Sequence, residues 1–207
     1  STGDFVVGAE YEDYTIPGID KKPETRSPNG EGGNWTQHFL NPDTGKGLWG
    51  VFKSAVERGI DYLYKVQKIT GYNCGPSVKR DLSPADLKRL NDYFGRILHL
   101  IADPGNPDHT NDRTHIFGNE FEDYVANNWE QIVKSKAFQG IVNAEAYQEW
   151  LKGKDQWTVN DPEKFIWEMA RKSNQFASRS SGLSPEEYAN NVANLVGETV
   201  GHSAGYI

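Results

Sequence analysis

The sequence predicts an all-α protein, and three observations carry that expectation. Helix-start signals recur at Ser83-Pro84-Ala85-Asp86, Asp161-Pro162-Glu163 and Ser184-Pro185-Glu186-Glu187. Each joins a capping side chain to a proline at the first helical position and an acid in the first turn. Apolar residues follow these signals at helical spacing, and no stretch between them alternates with period two. The chain of 207 residues is long enough to bury a sizeable core within one domain, and no internal repeat divides it. The expectation is a single domain, residues 1–207, built as a multi-helix bundle of five or six helices.

Taken in order, residues 1–47 read as mostly irregular, with Pro17 to Gly33 a surface loop rich in Pro, Gly, Lys and Glu. The spacing of Leu48, Val51, Phe52, Ala55, Val56, Ile60, Leu63 and Tyr64 predicts a helix from Leu48 to about Lys68. Gly71 to Asp81 is a connector. After Ser83-Pro84, the residues Leu87, Leu90, Phe94, Ile97, Leu98 and Ile101 form an apolar stripe. Asp92, Gly95, Arg96, His99 and Asp103 lie on the other side. Phe121, Tyr124, Val125, Trp129, Ile132 and Val133 mark a helix from about Asn119 to Ser135, and a short one is expected near Ala144–Leu151. The two remaining start signals open helices carrying Phe165, Ile166, Met169 and Ala170, then Tyr188, Val192, Leu195, Val196 and Val200.

Composition narrows the function classes. Aromatic residues make up 12% of the chain, including six Trp and ten Tyr, enough large side chains to argue against disorder. A formal charge of −7 disfavours a phosphate-backbone binder, which shows a basic stripe, and bound divalent metals would offset much of it. No apolar run approaches the roughly 20 residues of a membrane span, and no signal peptide precedes Ser1, so the chain is expected to be mature or trimmed. The single Cys74 excludes an intrachain disulfide and reads as a free loop thiol.

The chemistry-bearing residues gather around Gly95 to His109. His99 and Asp103, four apart, project from one helix face, and Pro104 biases Asp103 out of the helical region. Gly105 and Pro107 turn the chain so that His109 comes back toward the same place. His38, His99, His109 and His115 fall in one span, accompanied by Asp13, Asp103 and Glu122, and imidazole with carboxylate suits zinc in a hydrolytic site. Each residue also has a plainer reading. A His-x3-Asp pair fits a solvated helix face, His38 beside Phe39 fits a core edge, His109 and His115 fit loops, and Glu122 complements a helix N-terminus. His202, among Gly and Ser, reads as structural.

The order of these motifs carries a resemblance. His38-Phe-Leu-Asn-Pro-Asp43, Gly95-Arg-Ile-Leu-His99-Leu-Ile-Ala-Asp103, Pro107-Asp-His109 and Phe121-Glu122-Asp-Tyr-Val125 together resemble the zinc-dependent phospholipase C and P1 nuclease superfamily. Gly8-Ala9-Glu-Tyr-Glu-Asp13-Tyr14 is similar to the segment that supplies an aspartate in the phospholipase branch, and the two C-terminal segments resemble late helices of the same enzymes. The resemblance implies one zinc held by Asp13, His38, His99 and Asp103, with Asp103 placed to bridge to another metal, and a second zinc on His109 and Glu122. The family's remaining histidine stands four residues before that glutamate. Here the position is Gly118, and His115 is the nearby substitute.

The resemblance also implies a third zinc on an N-terminal Trp and on a histidine of a first helix. Neither precedes the Asp13 segment, and the relatives' last helix continues beyond Ile207. The expectation is therefore a processed or partial protein, or one whose third metal is lost or completed by another chain, with two zinc ions expected and three where that third site is complete. Asp13 would also orient or deprotonate the attacking water. Tyr14 and Trp35 stand where the phospholipase relatives place aromatic choline-pocket residues, which hold a quaternary ammonium by cation–π attraction. The implied function is a secreted phospholipase C that cleaves phosphatidylcholine-like lipids and touches the membrane surface transiently. The rival readings are a P1-like single-strand nuclease and a non-catalytic, metal-stabilised binding protein.

Overall fold

The computed structural model describes residues 9, 12, 35–71, 81–111, 120–143, 162–176 and 183–206. These residues form the multi-helix, all-α architecture expected from the sequence. Seven helices are described: α1 (Ala55–Thr70), α2 (Pro84–Ala102), the single turn α3 (Pro107–Thr110), α4 (Glu120–Lys134), α5 (Lys136–Val142), α6 (Pro162–Asn174) and α7 (Pro185–Tyr206). Among the described residues no helix is long and apolar enough to cross a membrane.

Local chemistry sets the helix starts. Ser54 opens α1 through a capping box: its hydroxyl accepts from the Glu57 amide while the Glu57 carboxylate accepts from the Ser54 amide. Gly71, at φ 68°, closes it in the left-handed conformation that costs glycine no Cβ clash. Ser83 caps α2 ahead of Pro84, and Ser184 with Glu187 repeats the capping box at α7.

The helix expected from Leu48 begins later than its apolar spacing indicated. Leu48–Gly50 is a separate 3-10 turn, Trp49 takes φ 53° and Gly50 φ 70°, and this left-handed pair prevents continuation into α1. The turn buries Leu48 but turns Trp49, Val51 and Phe52 outward. Lys136–Val142 is an additional helix, started by the Ser135 hydroxyl on the Phe138 amide. The expected Ala144–Leu151 helix and Cys74 lie outside the described residues.

Two apolar clusters organise the packing. The first joins α1, α2 and α6 through Val56, Tyr62, Ile69, Leu90, Ile97, Leu100, Ile101 and Ile166. The second joins α4, α5 and α7 through Ile132, Phe138, Tyr188, Val192 and Val196. α2 also packs on α7, and the turn after α2 packs on α6 and α7. The end of α2 therefore sits at the junction of the two clusters.

Gly105 is what allows that junction to close. A Cβ at this position would meet Thr199 Oγ1 of α7 at 2.0 Å, inside any tolerable contact, so the backbone approach requires glycine.

Candidate metal centre

Asp103 caps α2 and keeps right-handed helical angles, φ −50° and ψ −43°. Pro104 was expected to push it out of the helical region. Instead the chain tightens into the 3-10 turn Asp103–Gly105, with Pro104 in its first positions, where no intrahelical amide donor is required. Asn106 then turns the chain: its amide donates to the Asp103 carbonyl at 2.9 Å and its side chain caps α3 by accepting from the Asp108 amide at 3.0 Å. α3 is anchored to α6 where the hydroxyls of Thr110 and Ser173 meet at 3.1 Å.

The outcome is a carboxylate surrounded by three imidazoles. His99 Nε2 lies 3.1 Å from Asp103 Oδ1, His109 Nδ1 lies 3.5 Å from the same oxygen, and His38 Nδ1 lies 3.4 Å from Oδ2. His38 Nδ1 and His99 Nε2 face each other at 3.3 Å. His38, Asp103 and His109 are buried, while His99 is partly open toward a cleft. The segments bearing His38 and His109 are tied by their main chains, since the Leu40 amide donates to the His109 carbonyl at 3.1 Å.

Electrostatics follow from this crowding. Burial alone would raise the Asp103 pKa, but the charges of His99 and His38 and the bonds from His109 and His99 outweigh it and hold the carboxyl far below its ordinary range. Burial would lower the His109 pKa, yet the hydrogen bond and charge of Asp103 raise it.

The donor set fits a metal ion. His38 Nε2 faces the Glu12 main-chain carbonyl at 3.1 Å, and a carbonyl only accepts, so the His38 proton sits on Nε2 and the Nδ1 lone pair points at Asp103. Asp103 Oδ2 is itself buried and accepts no hydrogen bond from the described residues. In the neutral ring these are two facing acceptors 3.4 Å apart, relieved by a metal ion between them; with Nδ1 protonated the contact is instead the ion pair through which His38 lowers the Asp103 pKa. His38, His99 and Asp103 each offer an atom within 4.8 Å of the others, an imidazole and carboxylate set suited to zinc.

His109 and Glu122 are near each other but not joined: His109 Nε2 stands 3.9 Å from Glu122 Oε1, and Glu122 is 57% exposed. Asn106 Nδ2 donates to that same carboxylate oxygen at 3.0 Å. The sequence did not single out Asn106 or Glu12, since an Asn before Pro is common and Glu12 falls in a stretch whose composition predicts irregular chain, although the structure makes Ala9 and Glu12 helical. Asp13, Tyr14, His115, Gly118 and the side chain of Trp35 lie outside the described residues.

A cleft of about 370 Å³ opens beside His99, Asp103, Asn106 and Glu122. Its other wall is Phe121 and Val125 from α4 and Val196, Thr199 and Val200 from α7. Polar side chains thus meet an apolar trough lined by residues of the second packing cluster.

No family model matches the chain, and no curated protein matches it in sequence. Among solved structures, an alpha toxin from Clostridium absonum shares its fold, with a TM-score of 0.56 over 98% of this chain at 15% identity. The match covers 51% of the toxin, so this chain spans about half the toxin's length. The likeness is one of fold, and the site stands on its own geometry.

Proposed function

We propose that this chain is a zinc-dependent phosphodiester hydrolase of the phospholipase C type, cleaving phosphatidylcholine-like lipids to diacylglycerol and a phosphorylated head group. The observation that carries the reading is the convergence of His38, His99 and His109 on the buried carboxylate of Asp103, beside an apolar cleft. His38, His99 and Asp103, with Asp13, would hold one zinc. His109, Glu122 and His115 would take a second, and Asp103 would serve both. Zinc at such a site supplies Lewis acidity to phosphoryl oxygens and brings a water nucleophile within reach of neutral pH.

The chain's own residues supply the rest. Asp103 contributes negative charge where imidazoles converge, and the Asn106 amide fixes one oxygen of Glu122 at the cleft edge. Val125, Val196 and Val200 exclude water and offer an apolar wall to acyl chains. Asp13 would orient the attacking water and accept its proton, and Tyr14 with Trp35 would cradle a choline head group.

Two features favour lipid over the P1-like nuclease alternative. The net charge of −7 gives a nucleic acid no electrostatic attraction. Trp49, Val51 and Phe52 also expose 59%, 76% and 38% of their surfaces on one turn, an aromatic and aliphatic projection of the kind that rests at a bilayer interface.

The test combines elemental analysis with two substrates. The expected result is at least two zinc ions per chain, release of phosphocholine from phosphatidylcholine vesicles, and loss of that activity on chelation. Cleavage of single-stranded DNA without lipid hydrolysis would move the chain to the nuclease reading. Zinc without turnover on either substrate would make it a metal-stabilised binding protein, and a chain that takes up no zinc would overturn the proposal.

A further inference from the structure

Behind the metal centre lies a second polar cluster with no part in holding metal. Glu12, Tyr62, Asp92 and Arg96 are all 0% exposed, and Arg58 closes the cluster at its rim. Arg96 Nη1 donates to Glu12 Oε2 at 2.6 Å, Arg58 Nε donates to Glu12 Oε1 at 3.0 Å, and the Tyr62 hydroxyl donates to Glu12 Oε2. The Tyr62 oxygen in turn accepts from Arg96 Nη1 at 3.2 Å, and Arg96 Nε reaches Asp92 Oδ2 at the same distance. Two guanidinium groups face two carboxylates, so the charges balance. Burial, reinforced by Glu12, pushes the Tyr62 pKa upward, which keeps its hydroxyl a donor.

Such a network is a poor device for stability alone. Desolvating four charges offsets most of their attraction, and an apolar cluster of equal volume would stabilise α1 against α2 as well or better. What the network does provide is a fixed position for one residue. Glu12 contributes a carboxylate gripped by α1 and α2, and its main-chain carbonyl accepts from His38 Nε2 at 3.1 Å. That carbonyl belongs to a helical residue 26 positions from His38. The side-chain grip is what ties this residue to α1 and α2. The gripping helix α2 also carries His99 one turn beyond Arg96, and then Asp103 at its end.

We infer that Glu12 is a positioning residue: its clamped carboxylate holds its own carbonyl against His38, so that His38 keeps its proton on Nε2 and presents the Nδ1 lone pair to the metal. The inference rests on the metal-centre reading of His38, His99 and Asp103. Outer partners that hold the far nitrogen of a ligating histidine fix both the tautomer and the ring direction.

The experiment uses the full chain and reads the histidine directly. In the metal-free wild type, long-range proton–nitrogen NMR at mildly alkaline pH should show His38 as the Nε2-protonated tautomer. Glu12→Gln removes the charge that Arg58 and Arg96 grip, and should give a mixture of tautomers and an affinity for zinc lowered about 10- to 100-fold in chelator competition. Bound cobalt should show a changed visible spectrum in the same variant. Arg58→Gln, at the cluster's rim, should move the same readouts less and serves where Glu12→Gln does not fold. Ile132→Ala in the second apolar cluster is the control: it lowers the melting temperature and leaves tautomer and zinc affinity unchanged. Folded Glu12→Gln or Arg58→Gln protein with an unmixed His38 tautomer and unchanged zinc affinity would overturn the inference. Should the wild type take up no zinc, the proposed activity fails, while the tautomer readout still decides the role of Glu12.

Discussion

The two flanks of Asp103 are built differently. On one side His38 is buried, backed by the carbonyl of Glu12, whose own carboxylate is buried and gripped by the buried Arg96 and by Arg58 at the rim. On the other, His109 is buried but its neighbour Glu122 is 57% exposed, stands 3.9 Å away and is steadied by Asn106. The first flank is preorganised before any ligand arrives. The second is more open, its carboxylate held by Asn106 at the cleft edge. A site that must grip one group and release another has a use for both.

The largest expected effect breaks both flanks at once. Asp103→Asn keeps the shape but removes the charge that three imidazoles share, and should lower zinc affinity by more than about 100-fold, beyond the loss expected for an outer partner, as read by competition titration. Arg96→Leu strikes only the closed flank. It leaves the buried Glu12 carboxylate without its shortest guanidinium contact and should cost about 3–5 kcal/mol in denaturant unfolding.

Gly105→Ala tests whether the flanks depend on the α2–α7 junction. The new methyl would meet Thr199 Oγ1 and should destabilise by about 1–3 kcal/mol. Adding Thr199→Ala should recover part of that loss, giving a measurable coupling.

Acidity separates the flanks by sign in the metal-free chain. The raised pKa of His109 means its contribution is fully present below the unfolded histidine pKa of about 6.5 and is lost as pH rises through the folded value. The depressed pKa of Asp103 contributes above the unfolded carboxylate value of about 3.9, and that contribution is lost as pH falls toward the folded value. In the proposed ligand set zinc would displace the His109 proton, so zinc uptake should release protons and weaken as pH falls, which calorimetry in buffers of different ionisation enthalpy would read. The smallest effect is expected from Glu122→Gln on the more open flank, a loss of zinc affinity of under about tenfold with stability unchanged.

How much of this was legible depends on sequence distance. His99 and Asp103 share a helix face four residues apart, and the capping residues announce themselves within four positions, so the fold class and the heart of the site could be read along the chain. The grip on Glu12 could not. Its partners Arg58, Tyr62 and Arg96 lie 46, 50 and 84 residues away, and an isolated Glu or Arg on a polar helix face reads as solvated until its counter-charge is placed beside it. The side of α2 bearing Asp92, Gly95 and Arg96, set apart from the apolar stripe by sequence, is for that reason core. The false start at Leu48 has a different origin, because apolar spacing ran through a left-handed Trp49-Gly50 pair while the capping box at Ser54 held the true boundary.

The hydrogen bond from the Leu40 amide to the His109 carbonyl has a consequence for inheritance. Together with the bond from the Ala55 amide to the Phe39 carbonyl at 2.9 Å, it sets the spacing of two imidazoles through groups that every residue but proline carries. Drift in the surrounding side chains leaves such a ruler intact. Lineages could replace most of the sequence around it while the histidines stay in register, so descent in a protein of this kind is better traced by the separation of its histidines in space than by its letters.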